Sequence, residues 1–140
     1  MAIALSLRQP WLELVLQGRK KIEVRSWSTK YRGTLLLHAS KIIDVDACEY
    51  YGFNPQNFIG GYILGSVELI DCLPFTRESW ESLRSSHLNL RDFKQGLVAW
   101  CLINPLRLKP EKCSGRLGLF NVPDNASSFG LVPKPLEASM

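Results

Sequence analysis

Leu35, Leu36 and Leu37 run consecutively between Thr34 and Ala39, so a strand over residues 34–39 is apolar on both of its alternating faces. A strand with no polar side has to be covered above and below. This segment therefore belongs at the centre of a sheet. The rest of the chain must supply neighbours for its edges and packing for its faces.

Five other segments carry strand patterning. Residues 3–7 place Ile3, Leu5 and Leu7 at alternate positions, and residues 20–27 alternate Ile22 and Val24 with Lys21, Glu23, Arg25 and Trp27. Residues 62–73 read as a long strand in which Gly65 marks a bulge or bend. Residues 97–103 are almost continuously apolar and close at Asn104-Pro105, and residues 117–122 form a last strand after a loop over 109–115. Helical spacing is rarer. Pro10, then Trp11, Leu14 and Val15, then Gly18, has the first-turn proline and glycine stop of a two-turn helix. Residues 41–52 read as a short helix carrying Asp44 and Asp46, ahead of a loop over 52–61. Thr76 opens a capping-box-like run into a helix with Trp80 and Leu83. Six strands against three irregularly placed helices give an α+β or small-barrel pattern rather than repeated strand–helix units.

A chain of 140 residues, 46% hydrophobic and 21% charged, is sized for one domain whose core needs no covalent or metal staple. Cys48, Cys72, Cys101 and Cys113 include no C-x-x-C pair, and His38 and His87 are the only histidines, so neither a metal site nor a cofactor is expected. No apolar run approaches membrane-span length, and residues 1–7 lack a signal peptide's basic start and cleavage site. With unpaired cysteines, the cytoplasm is the expected location and no membrane partner is expected.

The net charge of +4 is unevenly distributed. Residues 1–41 carry eight Lys/Arg and two Asp/Glu, residues 42–81 one and seven, and residues 82–140 eight and four. An anionic partner would therefore be engaged locally rather than along a uniformly basic face.

The densest set of chemical groups is the junction Gly18 to Trp27, where Lys20, Lys21 and Arg25 surround Glu23 beside an indole. Cations donate to phosphate or base acceptors, a carboxylate accepts from exocyclic amines or hydroxyls, and an indole stacks on a base. The same residues also fit a solvated strand face with Glu23 paired to a neighbouring cation. Arg8, leaving the first strand near this junction, is a candidate second phosphate contact. Glu68 stands on an otherwise apolar strand face and is a candidate site carboxylate. His38 reads as a hydrogen-bonded core histidine, and Trp11, Trp80 and Trp100 read as core. Ser26, Ser28 and Thr29 are nearby hydroxyls with turn-like surroundings. No Ser/His/Asp series or phosphate-cradling glycine loop is present.

Ala4-Leu5-Ser6-Leu7-Arg8-Gln9-Pro10-Trp11, then Gly18-x-Lys20-x-x-Glu23-x-Arg25-Ser26-Trp27, then Tyr31-Arg32-Gly33-Thr34 through Ser40-Lys41 closely resembles the ASCH family (activating signal cointegrator homology). The resemblance continues through Gly61 to Val67, Ala99 to Pro105 and Gly115 to Phe120, about residues 3–122 in all. On this basis residues 1–122 are the expected domain, and residues 123–140 a tail packed on it or extending from it. The resemblance implies a PUA-like fold, a compact β-barrel of about six strands with flanking short helices. It also implies a cleft for RNA or a nucleotide-derived ligand such as a modified nucleoside, with Lys20, Glu23 and Arg25 pointing in and Ser40 and Lys41 as companions.

An enzymatic reading follows as well. Some small relatives hydrolyse the amide of acetylated cytidine with a lysine matching Lys20, a threonine nucleophile and a glutamate; this chain has Glu23 where that threonine would stand. The leading expectation is thus ligand binding by Arg8, Lys20, Glu23, Arg25, Trp27, Ser40 and Lys41. The alternatives are a hydrolase, either an amidohydrolase or a ribonuclease, using Lys20 with Glu23 or Glu68, and a coactivator-type module with a protein partner.

Overall fold

The computed structural model describes residues 2–123 and the backbone of residues 133–134; the rest of the expected tail lies outside the described residues. In chain order the elements are β1 (Ala2–Gln9), α1 (Trp11–Leu16), β2 (Ile22–Arg25), β3 (Gly33–Ile43), α2 (Val45–Tyr51), a 3-10 turn (Pro55–Asn57), β4 (Tyr62–Pro74), α3 (Arg77–Ser82), α4 (Arg84–His87), β5 (Val98–Lys112), β6 (Leu119–Val122) and β7 (Pro133–Lys134). The sheet order is β2-β5-β4-β3-β1-β6, with β7 paired to β5 beside this path.

β3 is interior, as its double-sided apolarity requires. Leu35 and Leu37 pack with Leu5, Leu7, Val15, Leu16, Val67, Leu69, Trp100 and Leu102 on one face, and Leu36 packs with Ala4, Ile63, Leu108, Phe120 and Val122 on the other. A smaller cluster of Ile22, Phe75, Trp80 and Ala99 joins α3 to the β2 side of the sheet. β1 and β3 are parallel neighbours, whereas the other pairings are antiparallel. A parallel pair cannot be joined by a tight turn, so α1 and β2 form the crossover between them.

The α+β, PUA-like class holds, but the sheet is not closed into a barrel. Among the described residues the terminal strands β2 and β6 pair only with β5 and β1 respectively. β5 also corrects the sequence reading, for it does not stop at Asn104-Pro105. Asn104 adopts φ +56°. Ser66 and Glu68 face Leu106 and Ile103, so β5 carries one extra residue there and continues to Lys112 through the expected loop. A bulge explains why a Pro did not end the strand. The expected bend at Gly65 is present as a register shift against both neighbours. A Cβ there would fall 2.5 Å from the Leu106 carbonyl oxygen, so only glycine admits this approach.

Two boundaries also shift. β3 runs to Ile43 because Gln9 pairs with Ile43 across from it, leaving only Val45–Tyr51 helical, with the Asp44 side chain accepting from the Ala47 amide at its start. At Thr76 the reciprocal capping box forms with Ser79, as the residue pattern suggested.

Candidate functional site

The face of the sheet opposite the larger core contains the site because of a period-two pattern. Leu5 and Leu7 of β1 and Leu37 and Ala39 of β3 enter the core, so Ser6, Arg8, His38 and Ser40 point the other way. These residues line a cleft of about 1220 Å³ whose other walls come from β2 with residues 26–27, from the Gly60-Gly61 loop, and from residues 112–118.

The loop walls are tied to β3. The Gly61 amide donates to the Ala39 carbonyl at 2.7 Å, and the Gly61 carbonyl accepts from the Cys113 amide at 2.9 Å. A Cβ at Gly60 would meet Lys41 Cα at 2.4 Å and the Ser40 carbonyl at 2.6 Å, so the loop lies directly on the strand end.

Of the residues singled out in the sequence, Arg8, Glu23, Arg25, Trp27, Ser40 and Lys41 come together around this cleft. Glu23 is 8% exposed, and its Oε2 accepts from Arg25 Nε at 3.0 Å while its Oε1 lies 3.7 Å from Lys20 Nζ. Arg25 then reaches across the crossover and donates from a terminal nitrogen to the Ser6 carbonyl at 2.6 Å. This chain fixes β2 against β1. Trp27 stands edge-on to Trp100, with ring centroids 4.8 Å apart, and Trp100 Nε1 donates to the Trp27 carbonyl.

Lys20 is not part of the cleft lining. It is 3% exposed and donates to the His87 carbonyl, with its ammonium 4.9 Å from the centre of the Trp11 ring. Burial lowers its pKa from 10.5 to about 8 despite the opposing pull of Glu23. Its position is set by the turn after α1 together with the distant His87 carbonyl. The turn after α1 brings the Lys20 amide to the Leu14 carbonyl, which leaves the side chain beneath β2 rather than on its open face. Glu68 lies elsewhere, half-buried, and accepts from the Thr34 hydroxyl at 2.6 Å. Ser26 lines the cleft, whereas Thr29 accepts from the Tyr31 amide in a turn.

Several cleft residues were not anticipated. Trp11 was expected in the core but is half-buried on the wall, its Nε1 donating to Asp44 at 2.9 Å. Trp80 and Trp100 are fully buried, as expected. His38 is 3% exposed and hydrogen-bonded, as expected, yet it also forms part of the cleft floor. Lys112 and Arg116 join Arg8, Arg25 and Lys41, so five cations and one carboxylate, Glu23, line the cleft among the described residues. The signal for Ser6 and His38 was the alternation itself, since each sits between two core residues on its strand.

Among the described residues no cluster of three or more His, Cys, Asp or Glu is placed to hold a metal ion. No helix among them is long and apolar enough to cross a membrane.

An open mixed sheet with short helices and a cationic cleft on one face defines an α+β, PUA-like domain. The chain matches the ASCH domain over residues 5–112 and belongs to the ASCH domain family. It is 34% identical over 85 residues to Activating signal cointegrator 1 from Mus musculus and from Homo sapiens, a match covering 49% of this chain but only 14% of each relative. The ASCH structure from Zymomonas mobilis superposes with a TM-score of 0.64 at 10% identity, covering 90% of both chains. A tyrosine-to-phenylalanine mutant of that protein gives 0.61 at 12% identity, covering 88% of this chain and 91% of the other. At such identities these structures speak for the fold alone.

Proposed function

We propose that the cleft binds single-stranded RNA or a nucleotide-derived ligand. The observation that carries this reading is the grouping of Arg8, Arg25, Lys41, Lys112 and Arg116 around one carboxylate and two partly exposed indoles, Trp11 and Trp27. The cations supply phosphate contacts, Glu23 accepts from a base or ribose donor, and an indole adds a stacking surface worth about 1–3 kcal/mol per base. Arg25 serves twice, orienting Glu23 and adding positive charge to the cleft. Lys20 acts from behind as the buried cation that holds the Glu23 carboxylate. The ASCH family is associated with RNA binding, which supports the same reading. A cytoplasmic setting, one domain over residues 1–122 and a tail beyond it are part of this proposal.

The test is fluorescence anisotropy with a short single-stranded RNA over a salt series. Affinity is expected to fall steeply with salt, and Arg8→Ala with Arg25→Ala to weaken binding at least tenfold and flatten the salt slope. Absence of binding at low salt overturns the reading.

A hydrolytic second reading is supported by the lowered pKa of Lys20 beside Glu23. In it Glu23 activates water and Lys20 supplies or withdraws positive charge through it. Glu68 drops out of that scheme because, unlike Lys20, which is paired with the cleft residue Glu23, it neither lines the cleft nor contacts that pair, and its carboxylate accepts from the Thr34 hydroxyl. The coactivator-type reading draws on the name of the curated relatives alone.

A further inference from the structure

The floor of the cleft holds a hydrogen-bonded pair that ligand binding does not require. Ser6 Oγ lies 2.7 Å from His38 Nδ1, and His38 Nε2 lies 2.6 Å from the Cys113 carbonyl oxygen. A carbonyl only accepts, so Nε2 carries the proton of the neutral ring. Nδ1 is then the acceptor, and the Ser6 hydroxyl donates to it.

The ring has little freedom to turn. It stands edge-on to Phe120 at 5.8 Å and is 3% exposed, while Ser6 is half-buried and lines the cleft. Gly115 lines the cleft beside the pair, and a Cβ there would lie 2.6 Å from His38 Cε1 and 3.0 Å from Ser6 Oγ, so the glycine leaves the space next to the hydroxyl clear. A hydroxyl, a base that accepts its proton and a third group that orients the base together form an activated nucleophile. Arg25, bonded to the carbonyl of Ser6 itself, brings a cation to the same residue.

We propose that Ser6 is a nucleophile, with His38 as its general base, for hydrolysis of carboxylic esters carried on phosphate-bearing molecules. The Ser6 proton passes to His38 Nδ1 as Oγ bonds to the ester carbonyl carbon. Arg25 stabilises the negative charge that develops on the carbonyl oxygen, and the Cys113 carbonyl stabilises the imidazolium. The carbon–oxygen bond to the alcohol then breaks, and the alcohol leaves with the proton from Nδ1. Water attacks the acyl-serine, giving its proton to Nδ1. The carboxylic acid departs, and Oγ takes the proton back. Arg8, Lys41 and Arg116 on the same walls select a phosphate-bearing carrier. The proposal goes beyond the binding reading, because acylation of Ser6 needs no RNA.

The test treats the full chain with an alkyl fluorophosphonate, which loses fluoride when a serine oxygen bonds to phosphorus. One adduct on the peptide containing Ser6 is expected, absent in Ser6→Ala and formed at least tenfold more slowly in folded His38→Gln. Where His38→Gln does not fold, Ser6→Cys replaces it. Iodoacetamide should then alkylate the new thiol at least tenfold faster than Cys72, Cys101 and Cys113, and equal rates overturn the base assignment. No adduct at Ser6, or an adduct formed equally fast without His38, overturns the proposal. The acetyl ester of glycerol 3-phosphate should be hydrolysed at least tenfold more efficiently than that of glycerol; equal or absent turnover overturns the substrate class.

Discussion

The buried lysine makes a pH experiment with a definite sign. Lys20 has a pKa of about 8 in the folded chain against 10.5 when exposed. Below pH 8 both states carry the proton, and the folded state bears the full cost of a desolvated ammonium. Between 8 and 10.5 the unfolded chain binds more protons, so stability rises with pH, and above 10.5 the cost has gone. Each pKa unit corresponds to about 1.4 kcal/mol, so integration from pH 7 to pH 10 gives a relief of about 2–3 kcal/mol attributable to Lys20.

Other groups titrate in that range. Burial raises the pKa of Tyr51 and of the Cys48, Cys101 and Cys113 thiols, which weakens the fold as pH climbs. The informative quantity is therefore the difference between the wild type and Lys20→Met, in which those contributions cancel. Urea unfolding of both proteins at pH 7, 8, 9 and 10 should show the wild type gaining about 2–3 kcal/mol on the variant. The absolute offset at pH 7 also contains the loss of a donor to the His87 carbonyl, but that part does not depend on pH. A difference that stays flat or falls with pH refutes the assignment of Lys20 as the desolvated cation.

Two further outcomes are expected. Gly60→Ala should lower stability by about 1–3 kcal/mol, because its Cβ would meet backbone atoms of Ser40 and Lys41 that no rotamer change can move; an unchanged melting temperature refutes that packing. His87 is stacked on Trp80 and accepts from the Asn89 amide, and burial foremost, with Lys20 and Arg84 nearby and Glu81 opposing them, lowers its pKa. The unfolded chain is thus protonated first as pH falls below about 6.5, and stability should drop more steeply from pH 7 to 5 than in His87→Gln; equal slopes in urea unfolding refute it.

Period-two alternation made much of the sheet legible. Leu35, Leu36 and Leu37 forced β3 inside, and the same rule puts Arg8 and Ser40 on one face. It failed where a strand absorbs an irregularity. Asn104 and Pro105 carry turn chemistry, yet pairing to β4 on both sides of the bulge outweighs it, so β5 continues. Lys20 was misplaced for a different reason. Its sequence neighbours suggest a cation beside a binding strand, but burial is decided by the turn after α1 and by the His87 carbonyl, which lies 67 residues away. The Ser6–His38 contact was illegible because strand order decides it. β1 and β3 are adjacent only through the crossover, and no spacing in the chain announces that register.

The bulge in β5 also bears on how the protein behaves in concentrated solution. One edge of β5 is paired with β2 at residues 98–101 and with β7 at residues 107–108, leaving an intermediate stretch without a strand beside it among the described residues. An unpaired edge is a template for adding a foreign strand. In this stretch Asn104 turns the backbone into the left-handed region and Pro105 offers no amide, so the regular alternation of donors and acceptors is broken. The irregularity that lets β5 serve two partners thus blunts the gap between them against self-association.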